Sequence, residues 1–548
     1  MSLFGNLYIG TSGLQTSQNA LNTVAHNLSN VSTGGYTRQQ VAQSDRSYHT
    51  ISVDSKAVSN KQTGLGVYYA QTRQVRDYFL DQTYREEVGR LSFYQVSYSA
   101  FNEVEDLLGE LNGESFNESL KNLWEAVEEL SKEPSSTVKQ GLLVQRASQF
   151  LERAQAVYKD MSDFQDNLNV QVKGNVDRVN EIANRIYELN NNILKIEVGG
   201  FEHANDLRDE RNALLDELGS LVHINYSEDV DGAVLVKVEG HQMVTRSAVF
   251  EMDVAADSET GFYTPYWVMD AGTVTLADGT KVPDLTNSKV FDLTQTIATD
   301  MDTDIGMIKA QLLARGDHRA NYTDLDSDTY NETIAQSVIM NVQAEFDKLV
   351  HSVATQMNAA LASAADPDNN YMVDGDGNPI QLFKKIATPG YDENGNYIEE
   401  DLTPGEESSL YTIANMVINP DLKKEASLLG FIRPDEKEDF AVVQLLQEVF
   451  TTEAYTLNPN VTNRTNLIDF YSNIVSQVAY SGSVFKSVYN NQSTTVASTE
   501  SARQQVVGVS DDEELSNMIK FQNAYNASSR YINVIDEMLE HIINTLGT

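Results

Sequence analysis

Residues 20–36 read ALNTVAHNLSNVSTGGY, and the fold turns on how this stretch is placed. Read back to Met1, it belongs to a segment with no Lys, Arg, Asp or Glu before Arg38, in a chain of 548 residues whose formal net charge is -41. Leu7, Leu14, Leu21 and Leu28 recur every seven positions, and Leu3, Gly10, Ser17, Val24 and Val31 fill the companion seam. A heptad pattern of this kind is that of a coiled-coil helix. Gly34 or Gly35 can take the left-handed conformation that ends it, so an axial helix is expected over residues 1–37.

The far end of the chain repeats the pattern. Met518, Tyr525, Ile532, Leu539 and Leu546 return every seven positions, with Phe521, Ser528, Ile535 and Ile542 as the second seam position, which predicts an axial helix within 508–548. At ~1.5 Å per residue the two helices run about 40–50 Å, matched lengths for lying side by side. The polar face of the first is Asn, Gln, Ser and Thr instead of Glu and Lys. A neutral face can pack among identical neighbours without burying unpaired charge, so the apolar members of both seams are expected to make subunit contacts. Ordering about 35 residues costs roughly 1–2 kcal/mol each in backbone entropy. A seam of nine or so half-buried apolar side chains returns at most ~15–25 kcal/mol. The termini are therefore expected to fray in the monomer and to order as copies assemble.

Between the termini the period changes several times. Leu168, Val172, Val176, Val179, Ile182, Ile186, Leu189, Ile193 and Ile196 advance by threes and fours, and Gly199-Gly200 ends that helix. Pro134 stops the helix before it. AVLVKV at 233–238 alternates, and Asp231-Gly232 and Asp278-Gly279 are hairpin-type turns. Helical spacing returns from Ile334 to Leu361, breaks at the Gly-, Asn- and Asp-rich stretches from 366, and resumes from Leu467 to Val488. The reading is an α+β multidomain chain in which N- and C-terminal helices pair into a coiled-coil or helical-bundle rod, with mainly β domains inserted mid-chain. Its segments are 1–37 (axial helix), 38–221 (helical rod, first part), 222–300 (β-rich insertion), 301–365 (helical), 366–430 (small β-rich insertion), 431–507 (rod, second part) and 508–548 (axial helix).

Composition narrows the chemistry. The absence of cysteine excludes disulfides and thiolate sites, and suits a chain that must stay unfoldable or meets changing redox conditions. A pI near 4.4 removes nucleic acid as a partner, because phosphate binding needs clustered cations. No apolar run approaches the ~18–20 residues that span a bilayer, so no membrane partner is expected. MSLFGNLYIGTSGLQTSQNA lacks the basic and apolar regions of a cleavable secretory signal, so export would use another route. None of the eight histidines is spaced as a zinc ligand pair. Asp324, Asp326 and Asp328, like Asp374, Asp376 and Asn378, imitate the first half of a calcium loop, but Thr329 or Pro379 stands where Gly is needed and Ala335 or Lys385 where Glu is needed. No catalytic, metal or cofactor role is assigned to any residue.

Asn27, Asn30, Thr33, Gly35 and Tyr36 match the N-terminal signature of the bacterial flagellar rod, hook and hook-associated proteins, which this chain resembles. Phe521, Gln522, Ala524, Tyr525, Ala527, Ser528, Asp536, Met538 and Leu539 match the C-terminal one. LWEAVEELSKEPSS (123–136), VNEIANRIYELNNNI (179–193), NDLRDERNALLDEL (205–218), DGAVLVKVEGHQMV (231–244) and INPDL (418–422) are similar to the hook-associated family of the hook–filament junction. Arg208, Asn212 and Glu239 depart from the family pattern. The resemblance implies a secreted, non-enzymatic adaptor of the extracellular flagellum, exported through the flagellar type III pathway. Its implied partners are a homo-oligomeric ring of like subunits, the hook protein, the next junction protein toward the filament, and an export chaperone for the C-terminal helix. A hook or distal rod protein, and a secreted adhesin or hydrolase with axial-type termini, are the competing readings. The long helical block at 93–221 argues against the first, and the lack of a polar constellation in either insertion argues against the second.

Overall fold

The uncharged N-terminal stretch forms helix α1 (Leu3–Ser29) in the computed structural model, which describes residues 3–54, 59–109, 115–200, 202–275, 279–326, 328–386, 400–403 and 407–546. Two nested antiparallel hairpins follow. β1 (Gln39–Asp45) pairs with β4 (Val67–Gln74), and β2 (His49–Asp54) with β3 (Ser59–Thr63). Sequence reading extended the helical rod back to residue 38, and these strands correct it. Gln39, Gln40 and Gln43 give β1 no apolar alternation, since most of the strand is exposed or half-buried and its order comes from the ladder to β4.

Helices then dominate: α2 (Tyr78–Gly109), α3 (Phe116–Lys132), α4 (Thr137–Glu197) and α5 (Asn205–Leu221). Ser115 caps α3 by accepting from the Glu118 backbone N–H at 3.1 Å, with Glu118 at the third helical position as in a capping box. α4 runs for 61 residues and begins well before Leu168, where the helical spacing read from the sequence starts. Buried Leu143, Ala147, Phe150, Ala154, Val157 and Met161 carry the same spacing upstream.

Small antiparallel sheets occupy the middle. β5 (Ile224–Glu228), β6 (Val234–Val238) and β7 (His241–Val244) form a meander, with Val234, Val236 and Val238 buried and Lys237 exposed as period two demands. β8 (Met252–Ala256) pairs with β9 (Tyr263–Trp267), and β10 (Gly272–Thr275) with β11 (Lys281–Asp284). Asp278, expected in the turn of the last pair, lies outside the described residues. α6 (Met307–Arg315) and α7 (Val338–Ala362) precede the strands β12 (Phe383–Lys385) and β13 (Met416–Ile418), which pair with each other. Among the described residues of 366–430, that pair is the only named sheet, the rest being turns, isolated bridges and short helical turns. The YDENGNYI block at 391–398 lies outside the description. The chain ends with α8 (Pro420–Lys424), α9 (Phe440–Thr451), α10 (Leu467–Val507) and α11 (Asp511–Leu546).

Two compact units emerge, one of residues 1–91, 178–251 and 492–548, the other of residues 92–177 and 252–491. Within the first, Asn190 of α4 bridges to β6, donating to the Val234 carbonyl at 2.8 Å and accepting from its N–H at 3.1 Å. Arg503 of α10 pairs with Asp81 of α2 at 2.8 Å and Asp216 of α5 at 2.7 Å, tying three helices together. Within the second unit, α3, α4, α7, α9 and α10 share one core, in which the Phe116 ring meets Phe346 at 4.7 Å and Tyr471 at 4.8 Å.

Candidate assembly site at the paired termini

α1 and α11 pair antiparallel inside the first unit as ordered helices of one chain. This differs from the frayed termini expected of a lone seam, because each helix finds its partner within the same chain. Three positions fix the register: Gly10 faces Ile532, Gly13 faces Ser528, and Asn27 meets Glu514, so positions fall along α11 as they rise along α1. A Cβ on Gly10 would lie 2.8 Å from Ile532 Cγ1, and one on Gly13 would lie 2.8 Å from Ser528 Oγ. The missing side chains let the two backbones approach. The buried face of α1 accordingly consists of small and polar residues, Ser12, Thr16, Ser17, Ala20, Val24 and Asn27. Hairpin β1/β4 covers a neighbouring part of that face. Ser12 Oγ donates to the Ile9 carbonyl at 2.8 Å and accepts from the Val67 N–H at 3.3 Å. Gly66, at φ +89°, passes so close that a Cβ there would sit 3.2 Å from Ile9 Cα.

The five signature residues gather at the turn that ends α1. Asn27 is buried and uses its whole amide: Nδ2 donates to the Gln39 carbonyl at 2.9 Å and to Glu514 at 3.1 Å, while Oδ1 accepts from the Gln39 N–H at 3.0 Å and the Tyr36 hydroxyl at 2.7 Å. Thr33 Oγ1 donates to Asn30 Oδ1 at 3.2 Å, and Asn30 Nδ2 donates back to the His26 carbonyl at 3.0 Å. Gly35 takes φ +79°, where a Cβ would be strained. Burial, aided by Asp209, Asp206 and Glu514, pushes the Tyr36 phenol above its usual range and keeps it a donor. Beyond the turn, the Arg38 N–H reaches the Val507 carbonyl at 2.8 Å and its guanidinium reaches Glu513 at 2.8 Å. The end of α1, the start of β1 and the start of α11 thus share one polar knot. Asp511, Asp512, Glu513 and Glu514 in the first turn of α11 also suit its helix dipole.

The predicted seam residues are distributed unevenly. Val24 and Ile535 are buried; Leu7, Leu14, Leu21, Leu28, Met518, Phe521, Tyr525, Ile532 and Leu539 are half-buried; Val31 and Ile542 are exposed. Nothing is described of the Leu3 and Leu546 side chains. The leucine stripe flanks the close contact because only small residues fit at its centre. Sequence reasoning missed a second stripe on α11, Tyr531, Val534 and Met538, exposed by 41%, 48% and 54%, although its three- and four-residue spacing is legible. On α1, Thr11, Gln15, Gln18, Asn22, Ala25 and Ser29 are exposed, and none carries a charge.

The calcium-like stretches are engaged by their own turns. Asp324 accepts from the Asn321 N–H at 2.8 Å and pairs with His318 at 3.2 Å. Burial would lower the His318 pKa, but its bonds to Asp317 and Asp324 outweigh that and push it up to about 10. Asp374 Oδ1 accepts from the N–H groups of Asp376 and Asn378 at 3.0 and 2.9 Å. Among the described residues, no three His, Cys, Asp or Glu side chains are arranged to hold a metal ion.

The family description "Flagellar hook-associated protein FlgK helical domain" matches residues 101–374, half of the chain. "Flagella basal body rod protein" matches residues 7–37, and "Flagellar basal body rod FlgEFG protein C-terminal" matches residues 503–545, so both fall on the helix pair. Flagellar hook-associated protein 1 of Bacillus subtilis is 23% identical over 556 residues, covering 100% of this chain and 99% of its own length. The Escherichia coli protein of the same name is 21% identical over 564 residues, covering 97% and 98%. The solved structure of the flagellar hook junction protein FlgK from Burkholderia pseudomallei aligns with a TM-score of 0.53 at 12% identity, over 78% of this chain and 100% of that one. At that identity the likeness is one of fold.

Proposed function

The chain belongs to the flagellar hook-associated protein FlgK family, and from that membership we propose that it is a structural subunit of the hook–filament junction of an extracellular bacterial flagellum. One observation carries the reading. The paired termini turn an uncharged face of α1 and an apolar stripe of α11 outward, in a chain that is otherwise strongly acidic. Such faces pack against like copies without stranding charge, which supports a ring of subunits with the hook protein on one side and the next junction protein on the other. The seam residues on both helices are the contacts this reading assigns. Before assembly the exposed Tyr531, Val534 and Met538 stripe invites association, which supports an export chaperone on α11. The reading gives the chain no catalytic step.

A strain lacking this chain should build hooks, leave them bare and release filament subunits into the medium. Re-expression should restore attached filaments. Filaments that stay attached without the chain would overturn the proposal.

A further inference from the structure

The second unit holds a cavity of about 580 Å³ between α2, α6, α10, the start of α7 and the segment 458–461. That volume lies in the range of small-ligand sites, roughly 300–1,000 Å³. Among the described residues, its walls contain no Asp, Glu, Lys, Arg or His, in a chain of which 22% is charged. A charged ligand would lose its hydration there and meet no counter-charge.

Amides stand where charges are missing: Asn331, Gln336, Asn341, Asn458, Asn460 and Gln477 all line the cavity. They are held in place from behind. The fully buried Glu345 accepts on one oxygen from Asn341 at 3.2 Å, Asn458 at 2.6 Å and Gln477 at 3.0 Å. Tyr330 donates to Asn341 at 2.7 Å, and Asn460 donates to Asn331 at 2.7 Å. Gln336 Oε1 is buried in the wall with no donor among the described residues, an unmet acceptor of the kind a ligand or water normally satisfies. The cavity is also lined by the rings of Phe101 and Phe485, which stack at 4.8 Å and 27°.

We propose that this cavity binds a neutral sugar ring. Such a ring has an apolar C–H face to lie on the phenylalanines and a rim of hydroxyls. Each hydroxyl is donor and acceptor at one atom, so one group can donate to Gln336 Oε1 while accepting from a neighbouring amide N–H. Amides fixed by Glu345 need no reordering when the ligand arrives.

Saturation-transfer NMR on the purified full chain tests this with glucose, galactose, mannose and N-acetylglucosamine. N-acetylneuraminate serves as the charged probe and N-acetylalanine amide as the neutral peptide probe. At least one neutral sugar should receive saturation, and N-acetylneuraminate should not. Gln336→Leu, which removes the acceptor at similar volume, should weaken that sugar about tenfold. Ser481→Phe, which fills the cavity, should abolish the signal; if it unfolds the chain, Gln336→Leu decides. Silence from all four sugars, an unchanged affinity in Gln336→Leu, survival of the signal in folded Ser481→Phe, or binding of the peptide amide in place of sugars would each overturn the proposal.

Discussion

Asn27 and Glu514, 487 positions apart in the sequence, share a hydrogen bond of 3.1 Å. The bond joins the last full turn of α1 to the first turn of α11, and it is one of four made by a single buried amide. Asn27→Ala strands both polar groups of the Gln39 backbone, the Tyr36 hydroxyl and Glu514 at once. Each unmet buried group costs about 1–3 kcal/mol, partly recovered where water enters, so a loss of roughly 2–4 kcal/mol is expected. Urea unfolding followed through hydrogen exchange of amides in the first unit measures it, and a change below about 0.5 kcal/mol would show that the knot is not stabilising.

The antiparallel register gives a direct chemical test, since the chain has no cysteine of its own. A Cβ at position 13 would stand 3.7 Å from Ser528 Cβ, within the roughly 3.5–4.5 Å span of a disulfide. The double variant Gly13→Cys, Ser528→Cys should therefore close an intrachain bond under mild oxidation and migrate faster as a monomer on a non-reducing gel. Crosslinking only between chains would mean that α1 and α11 meet across copies, and that the single-chain pair does not form in solution.

A pH dependence follows from Asp347 in the second unit. Its carboxylate is fully buried and accepts from the N–H of Ile413 at 2.7 Å and of Tyr322 at 3.0 Å. Burial dominates over those bonds, and with Asp324 and Glu400 nearby it pushes the pKa up to about 7. A folded pKa above the ordinary value near ~3.9 means that the folded state holds the proton more tightly. Between about pH 4 and pH 7 this group's contribution to stability falls as pH rises, and it levels off above about 7. Asp347→Asn removes the titration. The stability of the wild type relative to this variant should drop by roughly 2–4 kcal/mol across that window. Both tryptophans, Trp124 and Trp267, belong to this unit, so fluorescence-monitored unfolding at a series of pH values reads it. A difference that stays flat from pH 4 to 7 would show that Asp347 ionises normally.

The two terminal helices and the glycine turn behind α1 were legible because heptads and a left-handed glycine leave local marks. Which face of α1 is buried was not. The close approach rests on Gly10 and Gly13, whose meaning depends on Ile532 and Ser528 at the other end of the chain. β1 and β4 were hidden because these glutamine-bearing, half-exposed strands carry no apolar alternation. The upstream half of α4 was there to be read, as Leu143 to Met161 repeat the spacing seen from Leu168 onward. The signature residues were visible as a pattern, but their joint bonding through Asn27 needed three dimensions. The neutral cavity was out of reach, since its amides come from Asn331 to Gln477 and only the fold brings them together.

The central claim is that the uncharged outward face of α1 packs against neighbouring subunits. Asn22 lies on that face and is exposed in the single chain. Asn22→Lys would put an unpaired cation into each contact of the ring, at a cost of several kcal/mol per subunit, whereas on a solvated helix it would be nearly silent. The decisive measurement is secreted protein and attached filaments, scored together in the Asn22→Lys strain. Normal secretion with bare hooks is the predicted result. Normal secretion with full-length filaments and undiminished motility would contradict the account, because it would show that the neutral face remains in solvent.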